Sequence, residues 1–312
     1  MTIPTASTDA SPGPSAPVHS RRLTAGSVGS APRPVRSVPV RLAAMIPLLV
    51  VVLAVTQAVA AGVGTNPVVE LVVGLASAAG ALAVYTCAVR RLERRPVLEL
   101  DRSAVRSGLL PGAGIGLALF GTVIAVIAAL GGYRITGYGS AGASVAALGV
   151  MSAVAVDEEL LFRGALFRLV EERWGTRVAV AVSAVVFGAI HLVNPGATLL
   201  GALAIAIEAG VLLAMAYAAT RALWLPIGLH LAWNWAEGGL FGTTVSGSTH
   251  GAQASLFTGH LHGATLLTGG SFGPEATLPA ILVCLFASVV LWRVAARRGH
   301  IRPRPQRRTL AA

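Results

Sequence analysis

From residue 42 onward, long apolar runs alternate with short polar breaks. Eight runs come near the ~20 residues a helix needs to cross a bilayer: 42–63, 67–89, 108–131, 143–169, 178–194, 197–219, 222–238 and 277–296. The breaks differ in charge. Arg90, Arg91, Arg94, Arg95, Arg102 and Arg106 lie in the 90–107 linker. Glu171, Glu172, Arg173 and Arg177 follow the fourth run, Arg221 follows the sixth, and Arg293, Arg297, Arg298, Arg302, Arg304, Arg307 and Arg308 end the chain. The intervening loops 64–66, 132–142, 195–196 and 239–276 carry little charge, mainly Arg134 and Glu275. Eight crossings from an internal N-terminus put every arginine cluster on the cytoplasmic side, as the positive-inside rule requires. The expected fold is all-α: a polytopic membrane helix bundle of about eight transmembrane helices with both termini cytoplasmic.

Composition agrees. Of 312 residues, 54% are hydrophobic and 12% charged, against about 25% charged in a soluble domain; the mean hydropathy is +0.73. The net charge of +11 comes entirely from arginine, lysine being absent. Arginines clustered in tails and breaks are accounted for by topology, so no nucleic-acid partner is expected; the partners are the lipid bilayer and whatever substrate it holds. An Ala-, Gly- and Arg-rich chain without lysine has a bacterial look, and the expected location is a bacterial cell membrane. Cys87 and Cys284 sit singly in apolar runs and make neither a disulfide framework nor a metal site.

Five regions result: a disordered basic cytoplasmic tail (1–41), three N-terminal helices (42–142), a core carrying the chemistry (143–240), an extracytoplasmic loop (241–276), and a last helix with a basic tail (277–312). Arg21, Arg22, Arg33, Arg36 and Arg41 in the first tail are read as solvated residues that set topology. The loop holds His250, His260 and His262, read as bystanders rather than ligands. No transporter-type repeat, phosphate loop or nucleophile elbow is visible.

The polar residues inside apolar runs change the picture. Each costs on the order of 2.5–3.5 kcal/mol to insert and needs a partner, a wet cavity or a function. Asp157, Glu158, Glu159 and Arg163 interrupt the fourth run. Glu159 and Arg163 are i,i+4 and share a helix face, so Arg163 is expected to neutralise Glu159. Glu158, about 100° round the helix, is left free as a general base. The fifth run carries His191, a residue type that in an apolar helix is commonly just packed. The seventh offers His230 and Asn234, again i,i+4. Glu208 in the sixth is expected to line a cavity or to pair with Arg134 or a histidine. The span ends put His191 near the outer end of its helix and Glu158 and His230 near mid-membrane, a mismatch in depth.

In this order, Glu158-Glu159-x-x-x-Arg163, Phe187-x-x-x-His191 and His230-x-x-x-Asn234 resemble the CPBP family, which groups type II CAAX prenyl endopeptidases with abortive-infection-type intramembrane proteases. The blocks EELLFRGALF and AATRALWLPIGLHLAWN carry the likeness, over roughly residues 145–240. The resemblance implies an intramembrane endopeptidase. Glu158 and His191 would activate water, His230 and Asn234 would stabilise the oxyanion, and Glu159 and Arg163 would support the site. Bacterial members are commonly called metalloproteases; a Zn²⁺ ion would fall to Glu158, His191 and His230, but no HExxH pair exists and the metal-free scheme is preferred. The expected substrate is a membrane-tethered, lipidated or otherwise hydrophobic peptide. A proton-coupled transporter and a catalytically silent scaffold are the competing readings.

Overall fold

The computed structural model describes residue 2 and residues 37–248 and 255–305. Nearly all of the N-terminal tail, His250, Arg307 and Arg308 lie outside the described residues. Helix α1 (Val38–Gly62) leads to α2 (Pro67–Leu92). Asn66 caps α2, its side chain accepting from the amides of Val68 and Val69, and Pro67 opens it, which suits a position whose N–H has no helical partner. Two 3₁₀ turns, Leu98–Leu100 and Arg102–Ala104, enter α3 (Val105–Ala129). Strand β1 (Tyr133–Tyr138) follows. Then α4 (Ala141–Glu159) runs through a π-helical stretch, Leu160–Phe167, into α5 (Arg168–Trp174). After α6 (Thr176–Ile190) and a 3₁₀ turn, α7 (Leu199–Ile205) passes through π-helical Ala206–Gly210 into α8 (Val211–Thr220). Helix α9 (Trp224–Asn234) ends in π-helical Trp235–Leu240. Strand β2 (Phe257–Leu261), a short α10 (Thr265–Thr268) and α11 (Leu278–Arg297) complete the chain.

The helical membrane bundle is as expected, and every apolar run is helical. Among the described residues six helices are long and apolar enough to cross a membrane: Val38–Gly62, Pro67–Leu92, Leu98–Ala129, Thr176–Val193, Leu199–Thr220 and Leu278–Arg297. The other two runs, 143–169 and 222–238, correspond to α4–α5 and α9, the elements that carry the polar residues, so the count of eight narrows to six on length and composition. The outer helices turn apolar side chains outward, among them Val51, Val55, Val68, Val72 and Phe286, while the acids and His230 lie inside. That is the inversion lipid surroundings demand. The expectation of helix alone is corrected in one place. Loops 132–142 and 239–276 meet in an antiparallel pair, with Tyr133 opposite Leu261 and Tyr138 opposite Phe257.

Close approach fixes α9. A Cβ on Gly112 would sit 2.3 Å from the Leu225 carbonyl oxygen and one on Gly116 would sit 2.2 Å from that of Leu229. The small residues, one turn apart, let the two backbones touch, as in other membrane helix pairs.

The two ends of the bundle sort as the charge pattern required. At one end Arg168 donates to Glu93, Arg95 to Glu93 and Glu99, and Arg221 to Glu171. Arg41 is corrected from a tail residue to a buried one in α1, bonded to Glu172 at 2.5 Å; α1 begins at Val38 with Pro39 in its first turn, and Glu93 and Glu172 neutralise Arg41 where it is buried. At the other end the β pair joins the weakly charged loops. Burial alone would raise the Glu93 carboxyl; the hydrogen bonds and charges of Arg168 and Arg95 outweigh it and hold it below the ordinary value.

A carboxylate depressed in the fold stabilises fully above its unfolded pKa of about 4.3 and loses that contribution as pH falls through the lower folded value. Glu93→Gln should therefore cost about 3 kcal/mol at neutral pH and flatten the acid limb of the thermal stability curve in detergent. An unchanged limb would show that Glu93 does not hold this end together.

Candidate active site

Glu158 and Glu159 end α4, where the helix loosens into the π-helical stretch. Such widened turns recur at functional sites, and here three of them surround one region: after Glu159, around Glu208, and directly after Asn234. Arg163 donates from Nη1 to Glu159 Oε1 at 2.7 Å, both residues being fully buried. Its Nη2 reaches the carbonyls of Gly210 and Ala209 at 3.2 and 3.4 Å, and its guanidinium lies 4.7 Å from the centre of the Phe187 ring. The pairing read from the i,i+4 spacing is present, and Arg163 also ties α4 to the α7–α8 kink.

The same Glu159 oxygen meets Nδ1 of His230 at 3.1 Å, while Nε2 of His230 faces Glu158 Oε2 at 3.9 Å. His230 therefore lies between the two carboxylates. Glu158 Oε2 has no hydrogen-bond partner, and neither has Glu159 Oε2. His191 places Nδ1 2.7 Å from the Phe187 carbonyl. A carbonyl only accepts, so Nδ1 carries the proton and the lone pair of the neutral ring is on Nε2. The Phe187 ring stands between the imidazoles, 4.8 Å from His191 and 6.1 Å from His230, centre to centre.

Glu158, His191 and Asn234 line one cavity of about 460 Å³. Its other walls are Val50, Leu53 and Gln57 of α1, Val150, Met151 and Val154 of α4, and Ser246 and Ser248 of the following loop. The depth mismatch dissolves in the α5–α6 hairpin. Glu158 lies sixteen residues before the turn at Trp174 and His191 fifteen after it at Thr176, roughly 24 and 22 Å at 1.5 Å per residue. Gly175, at φ +84°, reverses the chain so that both counts start from one level.

Residues 140–236 match the family described as type II CAAX prenyl endopeptidase Rce1-like. Over that segment, about a third of the chain, the likeness to the CPBP family is borne out. The match opens at Ser140, which caps α4, and closes two residues after Asn234, so it covers Glu158, Glu159, Arg163, His191, His230 and Asn234. At the level of the family, the match supports an intramembrane protease of the CAAX type, a hydrolase. No curated protein and no solved structure matches the chain.

Several buried or half-buried polar residues of this core were not given roles by the sequence. Glu275 accepts from Trp233 Nε1 at 3.1 Å and from the Ser246 hydroxyl at 2.5 Å. Asn194 Nδ2 donates to the Ser246 carbonyl at 2.6 Å. Together they hold the cavity wall against the residue next to Asn234. Glu237, fully buried, was missed although an acid one turn beyond Asn234 in an apolar run was the available signal. Glu208 lines a small void with His230, Asn234, Ser246 and Glu275. It does not pair with Arg134, whose guanidinium instead lies 3.4 Å from His262 Nε2 on the β pair. Among the described residues no three His, Cys, Asp or Glu side chains are gathered as metal ligands would be.

Arg163→Met strands the Glu159 carboxylate in a dry interior and should cost about 3–5 kcal/mol. Glu158→Gln, which replaces an unbonded oxygen, should cost less than about 1 kcal/mol. Thermal melts of the two purified variants compare them directly; the reverse order would refute the division of labour between the two acids.

Proposed function

We propose that the chain is an intramembrane endopeptidase that hydrolyses a peptide bond in a membrane-associated or lipidated peptide by means of a Glu/His-activated water. The observation that carries this reading is the shared cavity. A carboxylate with a free oxygen, an imidazole with its lone pair on Nε2, and a side-chain amide face one apolar space large enough for an extended peptide segment.

Glu158 takes a proton from water as its oxygen attacks the scissile carbonyl carbon, with the Nε2 lone pair of His191 orienting the water. Negative charge moves to the carbonyl oxygen. Asn234 Nδ2 donates to it, and so does His230, which as an imidazolium donates from Nδ1 to Glu159 and from Nε2 towards the reacting centre. Collapse of the intermediate breaks the C–N bond, and the proton held by Glu158 passes to the leaving amine. Donors fixed before the reaction in a water-poor site stabilise developing charge strongly. Zinc does not fit as arranged: among the described residues Glu158, His191 and His230 are not gathered as a ligand set. No step is routed through a metal.

Apolar walls from α1 and α4 favour a hydrophobic or lipid-bearing peptide over a soluble one. An arginine-only, bacterial-looking composition favours substrates other than prenylated proteins. The arginine-rich end is assigned to the cytoplasm, which makes both termini cytoplasmic.

Reconstituted protein should cleave a membrane-tethered peptide and leave the same peptide untethered nearly intact. Glu158→Gln and His191→Ala should each lower kcat by roughly 10²–10⁴-fold with melting curves preserved, and a zinc chelator should leave the rate unchanged. Full activity in Glu158→Gln, or proton-coupled solute flux without any peptide cleavage, would overturn the reading in favour of the transporter; chelator sensitivity would overturn its metal-free form.

A further inference from the structure

A second cavity, of about 740 Å³, lies at the arginine-rich end between α2 and the start of α3. Its floor is apolar: Ala79, Leu82 and Ala83 from one face of α2, with Leu100, Val105 and Trp224 opposite. Arg90, Arg91 and Arg102 also line it. None of these three has a carboxylate partner among the described residues, whereas Arg41, Arg95, Arg168, Arg221 and Arg302 at the same end are all spent on Glu93, Glu99, Glu171 or Glu172. The nearby acid, Asp101, is turned to its own loop, accepting from the amide and hydroxyl of Ser103. The Trp224 indole is held in place by its N–H, which donates to the Asp101 carbonyl at 2.9 Å.

We infer that this groove binds an anionic glycerophospholipid, with the phosphate and acidic headgroup on Arg90, Arg91 and Arg102 and the start of an acyl chain against the α2 face and Trp224. A free anion would gain nothing from the apolar floor, and a neutral lipid would leave three guanidiniums uncompensated. The combination sits where spanning helices leave the bilayer, the depth at which arginines and tryptophan meet headgroups. The volume falls within the range of sites that enclose a small ligand. The groove lies on the face of α2 away from Tyr85, whose single hydroxyl proton faces two acceptors, Glu99 Oε1 at 2.7 Å and the Gly164 carbonyl at 2.8 Å, so a bound lipid braces the helix that backs the α4–α5 segment.

The test uses the full chain, delipidated in a neutral detergent, with a fluorescent-tailed phosphatidylglycerol displaced by unlabelled phosphatidylglycerol, phosphatidylcholine or inorganic phosphate. The wild type should release the probe to phosphatidylglycerol at a concentration at least about tenfold lower than to phosphatidylcholine, and inorganic phosphate should not displace it. Arg90→Gln/Arg91→Gln/Arg102→Gln should abolish the preference. Arg173→Gln/Arg177→Gln/Arg293→Gln, which removes equal charge at the same end, should keep it. Ala83→Trp, which plugs the groove with the arginines in place, should also abolish binding; together with Arg102→Gln alone it carries the test if the triple variant does not fold. Equal loss in both triple variants would reduce the effect to net charge. Displacement by inorganic phosphate would make this a free-anion site, and equal competition by the two lipids would remove the headgroup contact. Each of these results would overturn the inference.

Discussion

A carboxylate and a guanidinium buried together in an apolar bundle dominate this structure. Glu159 and Arg163 are both inaccessible to solvent, and each alone would be costly to place there. Their pairing is only part of the compensation. The other side of the guanidinium is occupied by two backbone carbonyls of the α7–α8 kink and by the Phe187 ring, and the carboxylate is shared with His230. One ion pair thus fixes the relation among α4, α6, α8 and α9, the elements that supply or flank the groups facing the cavity.

Much of the remaining architecture serves that node. The glycines of α3 let α9 press in until backbone meets backbone, which sets the position of His230 and Asn234. The π-helical stretches turn side chains out of ordinary helical register just where polar groups must converge. Outside the family segment, Glu275, Ser246 and Asn194 close the wall of the cavity, while α1 supplies its apolar lining. A lipid held in the arginine groove, if α2 depends on it, would couple the surrounding leaflet to the same core through Tyr85.

Much of this was legible in the residues. Charged positions in apolar runs are so costly that Glu158, Glu159, Arg163, His191, His230 and Asn234 stood out, and the four-residue spacing of Glu159 and Arg163 named their contact. Hydropathy placed the helices within a few residues. What escaped was non-local. Arg41 looked like a tail residue because its partners, Glu93 and Glu172, are far along the chain. The β pair joins two loops separated by more than a hundred residues, with no hairpin signal to announce it. Glu275 read as a lone loop charge until Trp233 and Ser246 were brought to it. The mismatch in depth between Glu158 and His191 came from measuring each against its own span instead of from their common turn at Gly175.

If Glu159 acts on the chemistry through His230, the two residues form one unit. A double-mutant cycle on kcat/KM for cleavage of a tethered peptide, with Glu159→Gln, His230→Ala and the double variant, tests this most directly. The account requires non-additivity: the double variant should lose clearly less than the product of the two single losses, the remainder being what Glu159→Gln costs through Arg163. Losses that simply multiply would show that the carboxylate and the imidazole work independently, and would contradict the account.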